Sequence, residues 1–279
     1  MKFRIAMDSA GEFTQELRGR EEYVLVPLTL SIGGEDIVDD GTVSQKELVR
    51  KIAESPSCPR TSCPSPEAYR AAYDCEADHI YGITISSNLS GSYQSAIIGK
   101  EMYLEDHPDA RIHVFDSCST SVGETILVLK IKELEERGLP FEDIVREVEA
   151  LSAEKSTTFV LDNLETLRKN GRLSRMKALA AQVLKIKPIC AGTKEGEIVQ
   201  IDQARGINKA LVKMVQYVVD HTMNSENKIL AISFVNCAER AVMVRDALLE
   251  RMKVREVLML EMGGLSTTYA NDGGIIVVI

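Results

Sequence analysis

Along this chain, short apolar runs give way to polar clusters and then to segments with apolar residues at helical spacing, which reads as strands alternating with helices. The clearest instance is 83–96, ITISSNLSGSYQSA. Ile80, Ile83 and Ile85 predict a buried strand, and Tyr93, Ala96 and Ile97 recur at the i, i+3, i+4 spacing of an amphipathic helix. Between them lie Ser86, Ser87, Asn88, Ser90, Gly91 and Ser92. One helix start needs one capping hydroxyl, because a single oxygen satisfies one of the N–H groups left without an intrahelical partner. Four serines with a glycine that permits close backbone approach point instead to a loop that offers several donors to an anion.

The same alternation runs through the rest of the chain. Strands are predicted over 3–7 and 23–32, followed by an acidic turn over 33–41 and a helix capped by Ser44, with Glu47 three residues on as a capping box requires. In CPRTSCPSPEAY, Pro59, Pro64 and Pro66 predict an irregular loop carrying Thr61, Ser62 and Ser65 ahead of a helix over Pro66–Tyr73. A strand over 111–115 ends in Asp116, Ser117, Ser119, Thr120 and Ser121, and helices follow to Arg137 and over 141–151. Three strand ends in this half therefore deliver hydroxyls, at Asp8-Ser9, at 86–92 and at 116–121. In an open parallel sheet such carboxyl ends share one edge, where ligands bind.

Beyond that point the pattern predicts a strand over 158–161, then a helix, a break at Gly171 and a second helix from near Ser174, with Arg172 and Arg175 making the break basic. A hairpin over 186–191 and 198–201 turns through 192–196, and Arg205-Gly206 leads into a helix over 208–221. Strand, helix and strand follow over 228–235, 238–252 and 257–262. The loop GGLSTTYANDGG then precedes a terminal strand over 275–279. The fold class is α/β, divided into an N-terminal domain over 1–153 and a C-terminal domain over 154–279.

Composition narrows the setting. With 279 residues, 44% hydrophobic and 27% charged, the chain has enough apolar material for a substantial core. A formal charge of −9 argues against a nucleic-acid footprint or attachment to anionic lipid. No apolar run is long enough to span a bilayer, and MKFRIAMDSA does not read as a signal segment, so a soluble cytoplasmic protein is expected. The six cysteines form no CxxC pair, which predicts free thiols rather than a disulfide scaffold or a zinc ribbon.

Familiar chemistry is missing. The chain contains no P-loop, no GxGxxG after a strand, no HExxH and no GxSxG elbow. Its four histidines, His79, His107, His113 and His221, show no carboxylate or cysteine clustering in the sequence, so no metal site is expected. None belongs to a hydroxyl loop, which leaves a serine nucleophile without a base.

Several motifs together resemble those of the DegV family of bacterial fatty-acid-binding proteins, the lipid-presenting subunits of fatty acid kinases. They are MDSAGEFTQEL at the start, TSCPSPEAY from Thr61, SSNLSGSYQSA from Ser86, FDSCSTSVGE from Phe115, FVLDNLETLRKNGRLS from Phe159, LKIKPI from Leu184 and QARGINKA from Gln203. The resemblance covers the whole length. It implies two α/β lobes with a lipid tunnel at their junction, no catalysis of its own, no cofactor and a separate ATP-using kinase as partner. Carried over residue by residue, it implies that the fatty-acid carboxylate meets Thr61 and Ser90 with the Gly91 amide, and more weakly Ser62 and Ser119. Arg172 in NGRLS and Arg205 in QARG match arginines that face the kinase and the phosphate.

At one place the chain departs from the family pattern. Where many relatives carry a histidine followed by GPG, it reads TTYANDGG, with Tyr269 in the histidine's place as a hydrogen-bond donor to the carboxylate. Two other functional classes compete with the fatty-acid reading. One is a hydrolase or acyltransferase using a clustered serine, which needs an unseen base; the other is a carrier of a different amphiphile with no kinase partner.

Overall fold

A computed structural model describes residues 2–173 and 186–279. The second helix expected from near Ser174, Arg175 and the first two residues of LKIKPI lie outside the described residues.

Strands β1 (Phe3–Asp8), β2 (Tyr23–Val26), β6 (His79–Thr84) and β7 (Ile112–Asp116) form a parallel sheet in the order β2-β1-β6-β7. All six residues of β6 are buried, as a parallel strand covered by helices on both faces must be. On one face lie α2 (Pro66–Tyr73) and α3 (Ser92–Asp106), through Tyr69, Tyr73, Ala96 and Tyr103. On the other lie α4 (Val122–Glu136) and α5 (Phe141–Glu154), through Leu127, Ile131, Leu134, Ile144 and Val148.

A second sheet, order β10-β9-β8-β13-β11-β12, is built from β8 (Thr157–Val160), β9 (Ile186–Gly192), β10 (Ile198–Arg205), β11 (Ile229–Phe234), β12 (Glu256–Glu261) and β13 (Ile275–Val278). Only β11 and β12 run parallel; the other pairs are antiparallel. Helices α7 (Ile207–His221) and α8 (Ala238–Leu249) cover one face. The other face receives the first turns of α4, through Val122 and Ile126 against Phe159, Ile276 and Val278. Helix α4 is therefore buried all round from Val122 to Val128, because its two ends serve two different cores.

A small antiparallel sheet, order β4-β3-β5, comprises β3 (Thr29–Ile32), β4 (Glu35–Val38) and β5 (Arg60–Ser62). Its core joins Leu28, Leu30, Ile32 and Ile37 to Leu48 of α1 (Gln45–Glu54) and to Leu265 of α9 (Gly264–Ala270).

Four expectations change here. The predicted strand over 23–32 is two strands in two sheets, divided at Pro27, which has no N–H to give to a ladder. The acidic turn contains β4: Gly33 and Gly34, at φ of 63° and 87°, make a two-residue hairpin that pairs Ile32 with Glu35. The proline loop contains β5, an edge strand that fits between Pro59 and Pro64 without including either. The last loop is not irregular, since it winds into α9 between Gly263 and Asn271.

Candidate functional site

The carboxyl ends of β1, β6 and β7 meet along one edge, as the strand-end hydroxyls predicted. Asp8 accepts from the Ile85 amide at 3.1 Å, the Ser86 amide donates to the Ser119 carbonyl at 2.8 Å, and the Ser121 amide donates to the Ala10 carbonyl at 3.0 Å. Most hydroxyls of these loops are engaged within the protein. Ser86 Oγ donates to the Gly196 carbonyl at 2.8 Å, and Ser117 Oγ donates to the Ser119 carbonyl at 3.1 Å. Ser121 Oγ donates to Glu12 at 2.9 Å and lies 2.7 Å from Ser233 Oγ.

Beside this edge lies a cavity of about 280 Å³. Leu28, Ile85 and Leu89 from the first half and Phe159, Leu161, Leu167, Ile198 and Ile276 from the second make its walls apolar, with Leu265 and Ala270 of α9 between them. Thr61, Ser62, Ser90, Gly91, Ser119, Arg172 and Tyr269 all line it, whereas Arg205, exposed at the end of β10, does not. Thr120 also lines it, one of the strand-end hydroxyls, whereas Cys63, Cys118, Thr157 and Ser266 were not expected in the lining; Cys63, Cys118 and Ser266 sit inside motifs already singled out, but Thr157 carried no local signal.

Part of the polar lining forms a cluster at Thr61 and Tyr269, whose hydroxyl oxygens are 2.9 Å apart. β5 brings Thr61 into the wall, and α9 brings Tyr269 to it from the far end of the chain. The Arg172 guanidinium lies 6.0 Å from the centre of the Tyr269 ring, within cation–π range. Its Nε donates to the Leu89 carbonyl at 3.1 Å, next to Ser90. The family resemblance implies that Arg172 faces the kinase and the phosphate, and the turn that carries it sets it in the cavity lining. After α6 (Glu165–Lys169), Gly171 takes φ of 77°, the left-handed helix stop that turns the chain back. Asn170 then ties the turn to the β5 lead-in by donating to the Pro59 carbonyl at 2.9 Å.

At Gly91 the 86–92 turn passes close to the residue after β5, where a Cβ would lie 3.3 Å from Cys63 Sγ. Ser90 Oγ is 3.0 Å from Ser92 Oγ and accepts from the Ser92 amide at 3.3 Å. Ser119 stands apart from the cluster: its hydroxyl is 2.7 Å from Thr157 Oγ1, a bond that joins the two halves of the chain.

Buried carboxylates surround the edge. Burial raises Asp8 to about 6 and Glu12 to about 7, and burial beside Asp8 keeps Glu124 well above the usual carboxylate range. Burial also lowers Lys155, which donates to the Ser117 carbonyl, to about 8. The histidines are not free of carboxylates, as their sequence neighbours implied. His79 Nδ1 lies 2.7 Å from Glu135, 56 positions away, but the pair sits in the first-half core and outside the cavity lining. No histidine lines the cavity among the described residues, so its hydroxyls have no imidazole base there. No group of three or more His, Cys, Asp or Glu is placed to hold a metal ion among the described residues, and no described helix is long and apolar enough to cross a membrane.

Together these features define a mixed α/β protein with an apolar cavity between its sheets and one cluster of hydroxyl and cationic groups in the wall. A family model described as "Uncharacterised protein, DegV family" matches residues 2–279, and the chain belongs to the DegV family. A DegV family protein from Ruminococcus gnavus, whose crystal structure was refined with vaccenic acid, is 48% identical; the match covers 100% of this chain and 99% of that one, with a TM-score of 0.97. The Streptococcus pneumoniae Fatty Acid Kinase (Fak) B3 protein loaded with linoleic acid is 29% identical over 100% of this chain and 99% of its own, with a TM-score of 0.90. A DegV domain-containing protein of Streptococcus pyogenes serotype M1 is 30% identical over 99% of this chain and 98% of its own.

Proposed function

We propose that this protein binds one long-chain fatty acid without a covalent bond and presents its carboxylate to a separate ATP-dependent kinase, which converts it to an acyl phosphate. The observation that carries the reading is the Thr61–Tyr269 pair, two hydroxyls 2.9 Å apart in the wall of an apolar cavity. The vaccenic acid in the Ruminococcus gnavus relative and the linoleic acid in the Fak B3 protein supply the ligand class, and the latter supplies the kinase.

In this reading residues 1–153 provide the head-group loops and 154–279 cover the acyl chain. Thr61, Ser90, the Gly91 amide and Tyr269 donate to the carboxylate, with Ser62 and Ser119 as minor contributors. Burying about fourteen methylenes at about 0.8 kcal/mol each yields roughly 11 kcal/mol before association costs, so the tail dominates affinity. A carboxylate withdrawn from water needs charge-assisted hydrogen bonds, which the cluster supplies. Arg172 lies beside that cluster and steadies the negative head group or the phosphate that forms on it, while Arg205, outside the cavity, meets the kinase. The protein itself needs no catalytic group, since the kinase directs the carboxylate oxygen onto the γ-phosphorus of ATP with loss of ADP.

The test is reconstitution. Delipidated protein is loaded with vaccenic acid, mixed with the kinase subunit of a fatty acid kinase and ATP, and the acyl phosphate trapped with hydroxylamine. Hydroxamate that requires both proteins supports the proposal. Tight binding with no hydroxamate from the cognate kinase would leave a fatty-acid carrier without a kinase partner, and an acyl–serine adduct would favour the hydrolase class.

A further inference from the structure

The cavity donor Tyr269 sits on a helix of seven residues, GLSTTYA, too short and too poor in strong helix formers to stand unaided. What holds α9 is a set of side chains from the other half of the chain. Asp39 accepts from the Gly264 amide through Oδ1 at 3.1 Å and from the Leu265 amide through Oδ2 at 2.8 Å. Glu12 accepts from the Gly263 amide at 3.1 Å. These three amides are among those an isolated helix start leaves unpaired, and negative charge at this end opposes the positive pole of the helix. Gln45 fixes the approach to the helix, donating to the Met262 and Phe234 carbonyls at 3.0 Å each. Ser266 Oγ donates back to the Ala10 carbonyl at 3.0 Å.

The contact with Asp39 is shaped to its carboxylate. A Cβ on Gly264 would lie 2.1 Å from Asp39 Oδ1 and 2.7 Å from its Cγ, so glycine is required for the carboxylate to reach both amides. Asp39 is only 6% exposed, and it does not line the cavity. Tyr269 follows Leu265 by four residues, about 6 Å along the helix at 1.5 Å per residue. A rotation or slide of α9 at its start is therefore carried directly to the tyrosine hydroxyl and to its 2.9 Å contact with Thr61.

We infer that Asp39 is a positioning residue for head-group recognition: by gripping the first amides of α9 it aims the Tyr269 hydroxyl at Thr61 and at the ligand carboxylate. The inference rests on the fatty-acid reading and adds to it a residue that never touches the ligand. Asp39 then matters for the acid end of the ligand and not for the tail, and it matters only through Tyr269.

A double-mutant cycle reads this out. Affinities for vaccenic acid and for the corresponding fatty alcohol are measured for the parent, Asp39→Asn, Tyr269→Phe and the double variant, each checked for folding by ligand-free melting. Asn keeps the shape but offers one acceptor where two amides need partners. Tyr269→Phe is expected to weaken the acid about tenfold or more, the size of one hydrogen bond to a charged group. Asp39→Asn is expected to weaken it by a similar factor, the double variant to be no worse than Tyr269→Phe, and alcohol binding to change little in Asp39→Asn. Additive losses, or equal losses for acid and alcohol, would overturn the positioning role while the parent's affinity for the acid kept the fatty-acid reading intact. A parent that binds neither ligand would remove that reading and this inference with it. If Asp39→Asn does not fold, Gly264→Ala takes its place in the cycle, because its methyl displaces the same carboxylate.

Discussion

The two regions of this protein richest in hydroxyls do different work. The loops after β6 and β7 carry the densest serines in the chain, yet Ser86, Ser117 and Ser121 donate to Gly196, Ser119 and Glu12, and Ser119 pairs with Thr157. At the β5–α9 junction Thr61 and Tyr269 meet in the wall of an apolar cavity. In the first region Ser86, Ser117 and Ser121 close the fold while Ser90 and Ser119 line the cavity; in the second, Thr61 and Tyr269 line it as a pair. A crowd of hydroxyls in one loop measures how many buried polar groups need partners, whereas a ligand donor is marked by what surrounds it.

The largest effect expected is on stability in the closing region, and it depends on pH. Glu12 is raised by burial from an ordinary value of 4.5 to about 7. Below pH about 4.5 it is protonated both folded and unfolded; between about 4.5 and 7 the unfolded chain gives up the proton while the native one keeps it, so stability falls as pH rises through that window. The loss attributable to Glu12 is about 3 kcal/mol, at about 1.4 kcal/mol per unit. Asp8, raised from 3.8 to about 6, adds a fall in the same direction over a lower window. Urea unfolding of the parent and of Glu12→Gln across pH 4 to 8 should show the slope reduced in the variant. Equal slopes would mean that Glu12 is ionised in the native protein at pH 5.

On the ligand side, Thr61→Ala or Ser90→Ala should weaken fatty-acid binding by about 1.5–3 kcal/mol, one charge-assisted hydrogen bond, while ligand-free melting changes little. Unchanged affinity in both variants would take these residues out of the head-group site. The reverse pattern is expected for Ser86→Ala. Its hydroxyl bonds the Gly196 carbonyl and does not line the cavity, so the variant should lose about 1 kcal/mol of stability and keep the parent's affinity. A loss of binding larger than the loss of stability would erase the distinction between fold-closing and cavity-lining hydroxyls.

The smallest effect concerns Tyr269, which stands where the family resemblance implies a histidine. An ordinary imidazole titrates near pH ~6.5, so Tyr269→His should gain several-fold in affinity relative to the parent as pH falls from about 8 to about 6. Because fatty acids themselves protonate and aggregate toward acid pH, parent and variant are compared at each pH. Parallel profiles would show that position 269 does not reach the carboxylate.

How much of this was legible follows from the range of the interactions. Local ones were readable: Ser44 accepts from the Glu47 amide as its capping spacing predicted, Ser65 caps a helix over Pro66–Tyr73, and the strand, hydroxyl turn and helix around 83–96 form as their periodicity predicts. The motifs TSCPS and SSNLSGSY pointed to Thr61, Ser90 and Gly91, all of which line the cavity. What was missed depends on partners far along the chain. α9 was read as a loop because its residues favour no helix; the carboxylates that cap it are 225 and 251 positions away. β5 was read as irregular because its three residues are ordered by pairing with β3, and the place of Arg172 in the cavity lining was not legible because the Gly171 turn and its tie to Pro59 are tertiary.

Native mass spectrometry of gently purified protein, with and without prior delipidation, tests the central claim most directly. The account predicts a protein that carries one long-chain fatty acid, loses it on denaturation in organic solvent and takes up one equivalent again when refilled with vaccenic acid. Protein that carries no lipid and takes up none, or a mass increment that survives denaturation as a covalent adduct, would contradict it.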